Sequence, residues 1–218
     1  MAVPARRPRG RPTADDPGLP TEALLDAALD AFAERGFDGT SVRELARDLG
    51  VSHNLIPQRI GSKADLWFAA VDHGFAALAV ALAQVVVDDE GVDDVGRLRA
   101  LVVRFIEANA TRPALLRIIQ QEAIAPGPRL DHLFTRYIDP VRIFGADLLA
   151  RLRERGEVRS SSVSLLYFLM THGGGGPLAL PALAARFGDA VDPSDPAAVR
   201  RHAEAATAVI FDGLVLHR

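Results

Sequence analysis

Residues 40–66 read TSVRELARDLGVSHNLIPQRIGSKADL. Ser41 and Glu44 stand at capping-box spacing, with Thr40 as an alternative cap, and Val42, Leu45, Ala46 and Leu49 fall on one face of the helix that would follow. Gly50 is a helix terminator, and Val51 is placed to plug the core beneath the turn. Ser52 is placed to cap a second helix opening with His53, Asn54, Leu55 and Ile56. Gly61-Ser62, with Asp65 three residues on, opens a third. Two short helices around a glycine-containing turn make a helix-turn-helix, a unit that presents the start of its second helix to base edges in a DNA groove.

Upstream, Thr21 is placed as a cap, and Leu24, Leu25, Ala28, Leu29 and Phe32 recur at helical spacing up to Gly36, with Phe37 expected to fold back on that face. Residues 1–20 are rich in proline and poor in large apolar side chains, a composition that cannot pack a core and predicts a mobile basic arm. Arg6, Arg7, Arg9 and Arg11 precede any acid, and Pro8-Arg9-Gly10-Arg11-Pro12 resembles the AT-hook, a peptide of the A·T-rich minor groove. The helix-turn-helix itself is balanced in charge, Arg43, Arg47, Arg59 and Lys63 standing against Asp38, Glu44, Asp48 and Asp65. The arm is therefore expected to supply much of the phosphate attraction.

Residues 22–66 together resemble the N-terminal domain of TetR-family (TetR/AcrR) repressors. The resemblance rests on Leu25, Ala27, Ala28 and Phe32 with Gly36-Phe37, then Thr40-Ser41-Val42, Leu45-Ala46, Gly50-Val51-Ser52 and Ser62-Lys63 with Leu66. Two positions depart from the family pattern. Pro57 stands where the family usually has an aromatic that commonly contacts a phosphate, and Ile60 stands where it usually has Phe. Proline lacks a backbone donor and restricts Ile56, so a recognition helix starting at His53 is expected to be short or bent near Pro57.

Downstream of residue 67 the pattern stays helical. Leu66, Trp67, Ala70, Val71, Phe75, Leu78 and Leu82 mark a long helix to about Val87, and an acidic loop at 88–91 leads to a helix ending near Asn109. Leu130 to Arg155 reads as one helix with a kink at Pro140, and Val163 to Met170 as a strongly apolar helix stopped by Gly173–Gly176. A last helix spans about 197–216. The predicted fold is all-α: an arm at 1–20, a three-helix helix-turn-helix domain at 21–67, and a helical bundle at 68–218.

The resemblance implies that this bundle binds a small-molecule effector and forms a homodimer through its last two helices. The cavity candidates are Phe105, Asn109, Gln120, Tyr137, Phe144, Tyr167, Met170 and His172. On the DNA side, Thr40, Ser41 and Lys63 are expected at phosphates. Ser52, His53, Asn54 and Gln58 are expected at or near base edges, and Arg43 and Arg59 at either. The implied function is a ligand-responsive regulator of double-stranded DNA, expected in the cytoplasm.

A chain of 218 residues, 49% hydrophobic and 24% charged, is long and apolar enough for a folded core. With no cysteine, disulfides and thiolate metal sites are excluded. Scattered histidines, no nucleophile–base pair and no cofactor motif predict no metal, no cofactor and no enzymatic activity. No apolar run of membrane-spanning length is apparent, so no membrane partner is expected. Pro57 and the balanced charge motivate an alternative, an all-α small-molecule-binding protein or enzyme that keeps the helix-turn-helix as scaffold.

Overall fold

The computed structural model describes residues 19–87, 92–159, 161–188 and 190–216. Arg6, Arg7, Arg9, Arg11 and the acidic loop at 88–91 lie outside the described residues. All named elements are helical, and among the described residues the only β pairing is an isolated bridge between Val158 and Val215. In order the helices are α1 (Thr21–Gly39), α2 (Val42–Asp48), α3 (Leu55–Arg59), α4 (Lys63–Val87), α5 (Asp94–Thr111), α6 (Ala114–Glu122), α7 (Pro128–Leu133), α8 (Asp139–Glu154), α9 (Val163–Phe168), α10 (Gly176–Ala179), α11 (Pro181–Phe187) and α12 (Pro196–Leu214).

α1 breaks at Gly36, whose φ of 72° lies in the left-handed region. Thr40 seals that break: its Oγ1 lies 2.7 Å from the Gly36 carbonyl oxygen and 3.1 Å from that of Ala31. Ser41 caps α2 by accepting from the Glu44 N–H. α2 ends in a Schellman turn, in which Gly50 N–H donates to Arg47 and Val51 N–H to Ala46. Leu24, Phe32, Leu45, Ala46, Ile56 and Leu66 close the small domain's core.

α4 runs unbroken through residues 67 and 68, so the expected domain boundary falls inside one continuous helix. Its first turn is held by Ser62, whose N–H donates to Asp65 Oδ2 at 2.8 Å. By length and composition Lys63–Gln84 is apolar enough to cross a membrane, which corrects the reading that no such run exists. The run was obscured because Asp72 and His73 interrupt it; here they pair with His132 and Asp26. α4 packs against α1 and α5, and α1 in turn against α6. The contact is close at Gly74, where a Cβ would come 2.7 Å from the Leu29 side chain and 2.9 Å from that of Leu115.

Ahead of Pro140 the 130–155 helix widens into a π-helical stretch at Phe134–Ile138 that joins α7 to α8. Proline has no N–H to give and crowds the carbonyl four residues back, and widening the turn accommodates both. The glycine run at 173–176 behaves differently from expectation. It continues α9 as a π-helical stretch over Leu169–Gly174 and passes into α10. A Cβ on Gly174 would lie 2.5 Å from Ile106 Cδ1, so at this position the backbone packs closely on α5. His202 of α12 donates from Nε2 to the Gly174 carbonyl at 2.7 Å, satisfying that acceptor of the widened turn.

Candidate nucleic-acid interface and internal cavity

α3 is five residues long and begins at Leu55, two residues later than the sequence suggests. Ser52, His53 and Asn54 form the turn before it, with Ser52 Oγ accepting from the Asn54 N–H at 3.4 Å and its carbonyl from the Leu55 N–H at 2.9 Å. This late start places Pro57 third in the helix. The first intrahelical bond comes from the next residue, Gln58 N–H to Asn54 O at 3.0 Å. Proline thus occupies the last position whose N–H has no helical acceptor anyway, so it neither ends nor distorts the helix.

Ile56 is fully buried and fixes α3 on the core, leaving Ser52, His53, Asn54, Pro57, Gln58 and Arg59 exposed. Arg43 and Arg47 of α2 border one shallow surface concavity with Val51, Ser52 and His53. Arg47 was not among the expected contacts, although its place four residues after Arg43 puts both on one helix face. Of the other expected contacts, Arg59 is held by a 2.7 Å bond from Nη1 to the Leu19 carbonyl. Lys63 is half-buried, its Nζ 3.2 Å from the Asp38 carbonyl and 4.7 Å from the centre of the Phe37 ring. Thr40 needs a correction: it is 2% exposed with its hydroxyl turned inward, so it is a structural residue and not a phosphate contact.

The bundle holds a partly open cavity of about 240 Å³ between α4, α5, α6, α8, α9 and the two π-helical stretches. Phe105, Tyr137, Phe144, Tyr167 and Met170 line it as expected, joined by Phe75, Leu78 and Leu82 of α4, which had been read only as core. Asn109, Gln120 and His172 do not line it. Asn109 is fully buried and its amide donates to the Phe105 carbonyl at 2.8 Å. His172 is exposed, its Nδ1 2.9 Å from the Thr171 hydroxyl and its ring tilted against Phe168.

Tyr137 ties the cavity wall to α4. Its ring stacks on Phe75 at 4.5 Å, and its hydroxyl donates to Asp72 Oδ1 at 2.5 Å. Burial, reinforced by that carboxylate, pushes the Tyr137 phenol up to about 12. His132, expected on the surface, is instead partly buried with Nε2 2.6 Å from the same Asp72 oxygen. Among the described residues no group of three or more His, Asp or Glu could hold a metal ion.

The fold and these surfaces define a helix-turn-helix protein with a second, cavity-bearing helical domain. Residues 24–70 match the profile of bacterial regulatory proteins, tetR family. It is similar to the HTH-type transcriptional repressor Rv3405c of Mycobacterium tuberculosis, at 41% identity over 69 residues. That match covers 29% of this chain and 37% of the relative, so the chain spans little more than a third of the length of that relative. An HTH-type transcriptional regulator of the same species, Rv1556, is 28% identical over 159 residues, covering 71% of this chain and 73% of its own. In fold, the chain resembles the ketosteroid transcriptional regulator KstR2 of Mycobacterium tuberculosis, with a TM-score of 0.69 at 23% identity over 89% of this chain and 94% of that one. The TetR-family regulator PfmR of Thermus thermophilus gives a TM-score of 0.63 at 20% identity over 92% and 98%.

Proposed function

We propose that the protein is a homodimeric, DNA-binding transcriptional repressor whose hold on its operator is released by a small molecule. The observation that carries this reading is the face formed by Arg43, Arg47, Ser52 and His53, continued by exposed Asn54 and Gln58, on a tetR-family scaffold. Arginines on α2 suit phosphates, and Asn54 suits the paired donor and acceptor of adenine. Ser41, Arg59 and Lys63 flank this face, and Arg6, Arg7, Arg9 and Arg11 add backbone or minor-groove contacts.

A single five-residue helix is too small a footprint for tight recognition, and two copies on half-sites supply the rest. Exposed Leu165, Phe168 and Leu169 on α9 and its continuation, with Val209 on α12, support pairing through those helices. The cavity supports an effector, which acts by favouring a dimer arrangement that no longer fits successive grooves. The relatives whose names include transcriptional repressor or ketosteroid regulator support the class of function.

The test is a fluorescence-anisotropy titration of duplex DNA flanking the protein's own gene, against an excess of unrelated duplex. The proposal expects saturable binding that Arg47→Ala weakens on every duplex and Asn54→Ala weakens on the flanking sequence selectively. Equal affinity for flanking and unrelated DNA at every salt concentration would overturn it.

A further inference from the structure

The cavity has a floor and a rim of different character. Phe75, Leu78, Leu82, Phe105, Ile119 and Met170 line it and are each buried, so they form its floor. Ala79, Ala83, Arg136 and Pro140 also line it but are exposed, so they mark where it meets solvent. Ala79 and Ala83 stand one turn apart on α4, and Pro140 lies in the first turn of α8, so the opening runs between those two helices. The two alanines keep that gap clear, because each contributes only a methyl group.

Three lining residues, Arg136, Tyr137 and Tyr167, carry polar side chains, and none offers a free hydrogen-bonding atom to the floor. The Tyr137 hydroxyl donates to Asp72, and its oxygen accepts from Arg136 Nε at 3.2 Å. The Tyr167 hydroxyl oxygen has under 1 Å² exposed, so an occupant of the cavity does not reach it. Arg136 belongs to the rim, with 61% of its side chain exposed and its Nε 3.6 Å from the Asp72 carboxylate, so water and a counter-charge already meet its guanidinium. A polar atom carried onto this floor gives up its water partners and gains none, whereas apolar surface gains by leaving water.

Resting on the reading of this cavity as the effector site, we propose that the effector is an uncharged apolar molecule, held by shape and hydrophobic contact without a side-chain hydrogen bond, that enters between α4 and α8 past Ala79 and Ala83. Size bounds it. A cavity of about 240 Å³ exceeds the roughly 150 Å³ of apolar space that holds a benzene ring, and accommodates a bicyclic body. An added methylene that stays inside tightens binding by about fourfold. An oxygen carried to the same place weakens it by about tenfold.

The test uses the full-length protein and a matched set of probes: tetralin, 1-tetralone and 1-naphthoic acid, each displacing the uncharged dye N-phenyl-1-naphthylamine. Tetralin is expected to bind about tenfold more tightly than the ketone, and more tightly still than the acid. Ala83→Trp sets a large side chain in the opening and is expected to weaken tetralin and the dye by about tenfold or more. Ala83 is exposed, so the variant is expected to melt with the wild type; Ala79→Trp, at an equally exposed position, repeats the block independently. Equal or tighter binding of the ketone or the acid overturns the ligand class and leaves the effector site standing. Undiminished tetralin binding in both folded variants overturns the entry between α4 and α8. Failure of the dye and all three probes to bind overturns the effector site and this inference with it.

Discussion

The Arg129 guanidinium lies 4.0 Å from the centre of the Phe37 ring. Arg129 belongs to α7 of the bundle, and Phe37 sits just after the break in α1, stacked on Phe32 at 6.0 Å. Arg129 Nε also donates to Glu122 Oε2 at 2.8 Å. A second strap is the Gln121 amide donating to the Ala33 carbonyl at 2.9 Å. The two domains are therefore joined by packed, directional contacts as well as by the continuous α4.

Removing that strap should be measurable. Arg129→Ala is expected to lower unfolding stability by about 1 kcal/mol, through loss of the cation–aromatic contact and of stem packing. Urea denaturation reads the change, and Arg129→Lys should recover part of it. An unchanged midpoint in the alanine variant would contradict the contact.

Thr40 gives a test that separates structure from recognition. Thr40→Val keeps the shape but removes a buried hydroxyl facing two carbonyls, and is expected to cost about 1–2 kcal/mol of stability. The salt dependence of DNA binding should stay the same, because no phosphate contact is lost. A reduced log–log salt slope in this variant would restore Thr40 as a phosphate ligand.

At the start of α3, adjacent residues should respond oppositely to backbone chemistry. Pro57→Ala is expected to change stability by less than about 1 kcal/mol, since no helical acceptor faces that position. Gln58→Pro deletes the first intrahelical bond and is expected to cost about 3 kcal/mol. Thermal melts of the pair decide it, and a larger loss in the alanine variant would contradict the placement of Pro57.

Asp94 clasps α5 to α8. It receives Arg151 Nε at 3.0 Å and Arg155 Nη2 at 2.8 Å, and those arginines hold its carboxyl at about 2, below its ordinary 3.8. A lowered folded value means that the stabilisation is fully present above about 3.8 and fades as the pH falls through about 2. Asp94→Asn is expected to destabilise the protein at neutral pH and to converge with the wild type near pH 2. A constant difference across an acid titration of the melting temperature would refute the clasp.

For the arm, deletion of residues 1–12 is expected to lower DNA affinity and to reduce the log–log salt slope by about one unit for each arginine that contacts a phosphate. Unchanged affinity and slope would remove Arg6, Arg7, Arg9 and Arg11 from the interface.

Much of the scaffold was legible because its signals are local. Ser41, Gly50 and the Ser62/Asp65 pair act on backbone groups a few residues away, and all do in the structure what their spacing predicts. What spacing could not show depends on distant partners. Thr40 looks like an exposed cap until Ala31, nine residues earlier, is seen to hold its hydroxyl. His132 looks like a surface residue until Asp72 is brought to it from α4. Gly174 looks like a helix breaker until Ile106 is found where its side chain would be. The cavity was half legible. Tyr137 and Tyr167 stood out as polar groups on apolar helices, whereas Phe75, Leu78 and Leu82 share a face with ordinary core residues and carried no separate signal.

The most direct test of the account is a footprint of the protein on the DNA beside its own gene, made with the wild type and with Asn54→Ala. Recognition by the turn and first residues of α3 predicts two related protected segments about 10 base pairs apart, or a multiple of that, with protection lost selectively in the variant. Absence of any protected segment, or protection identical in the two proteins, would contradict it.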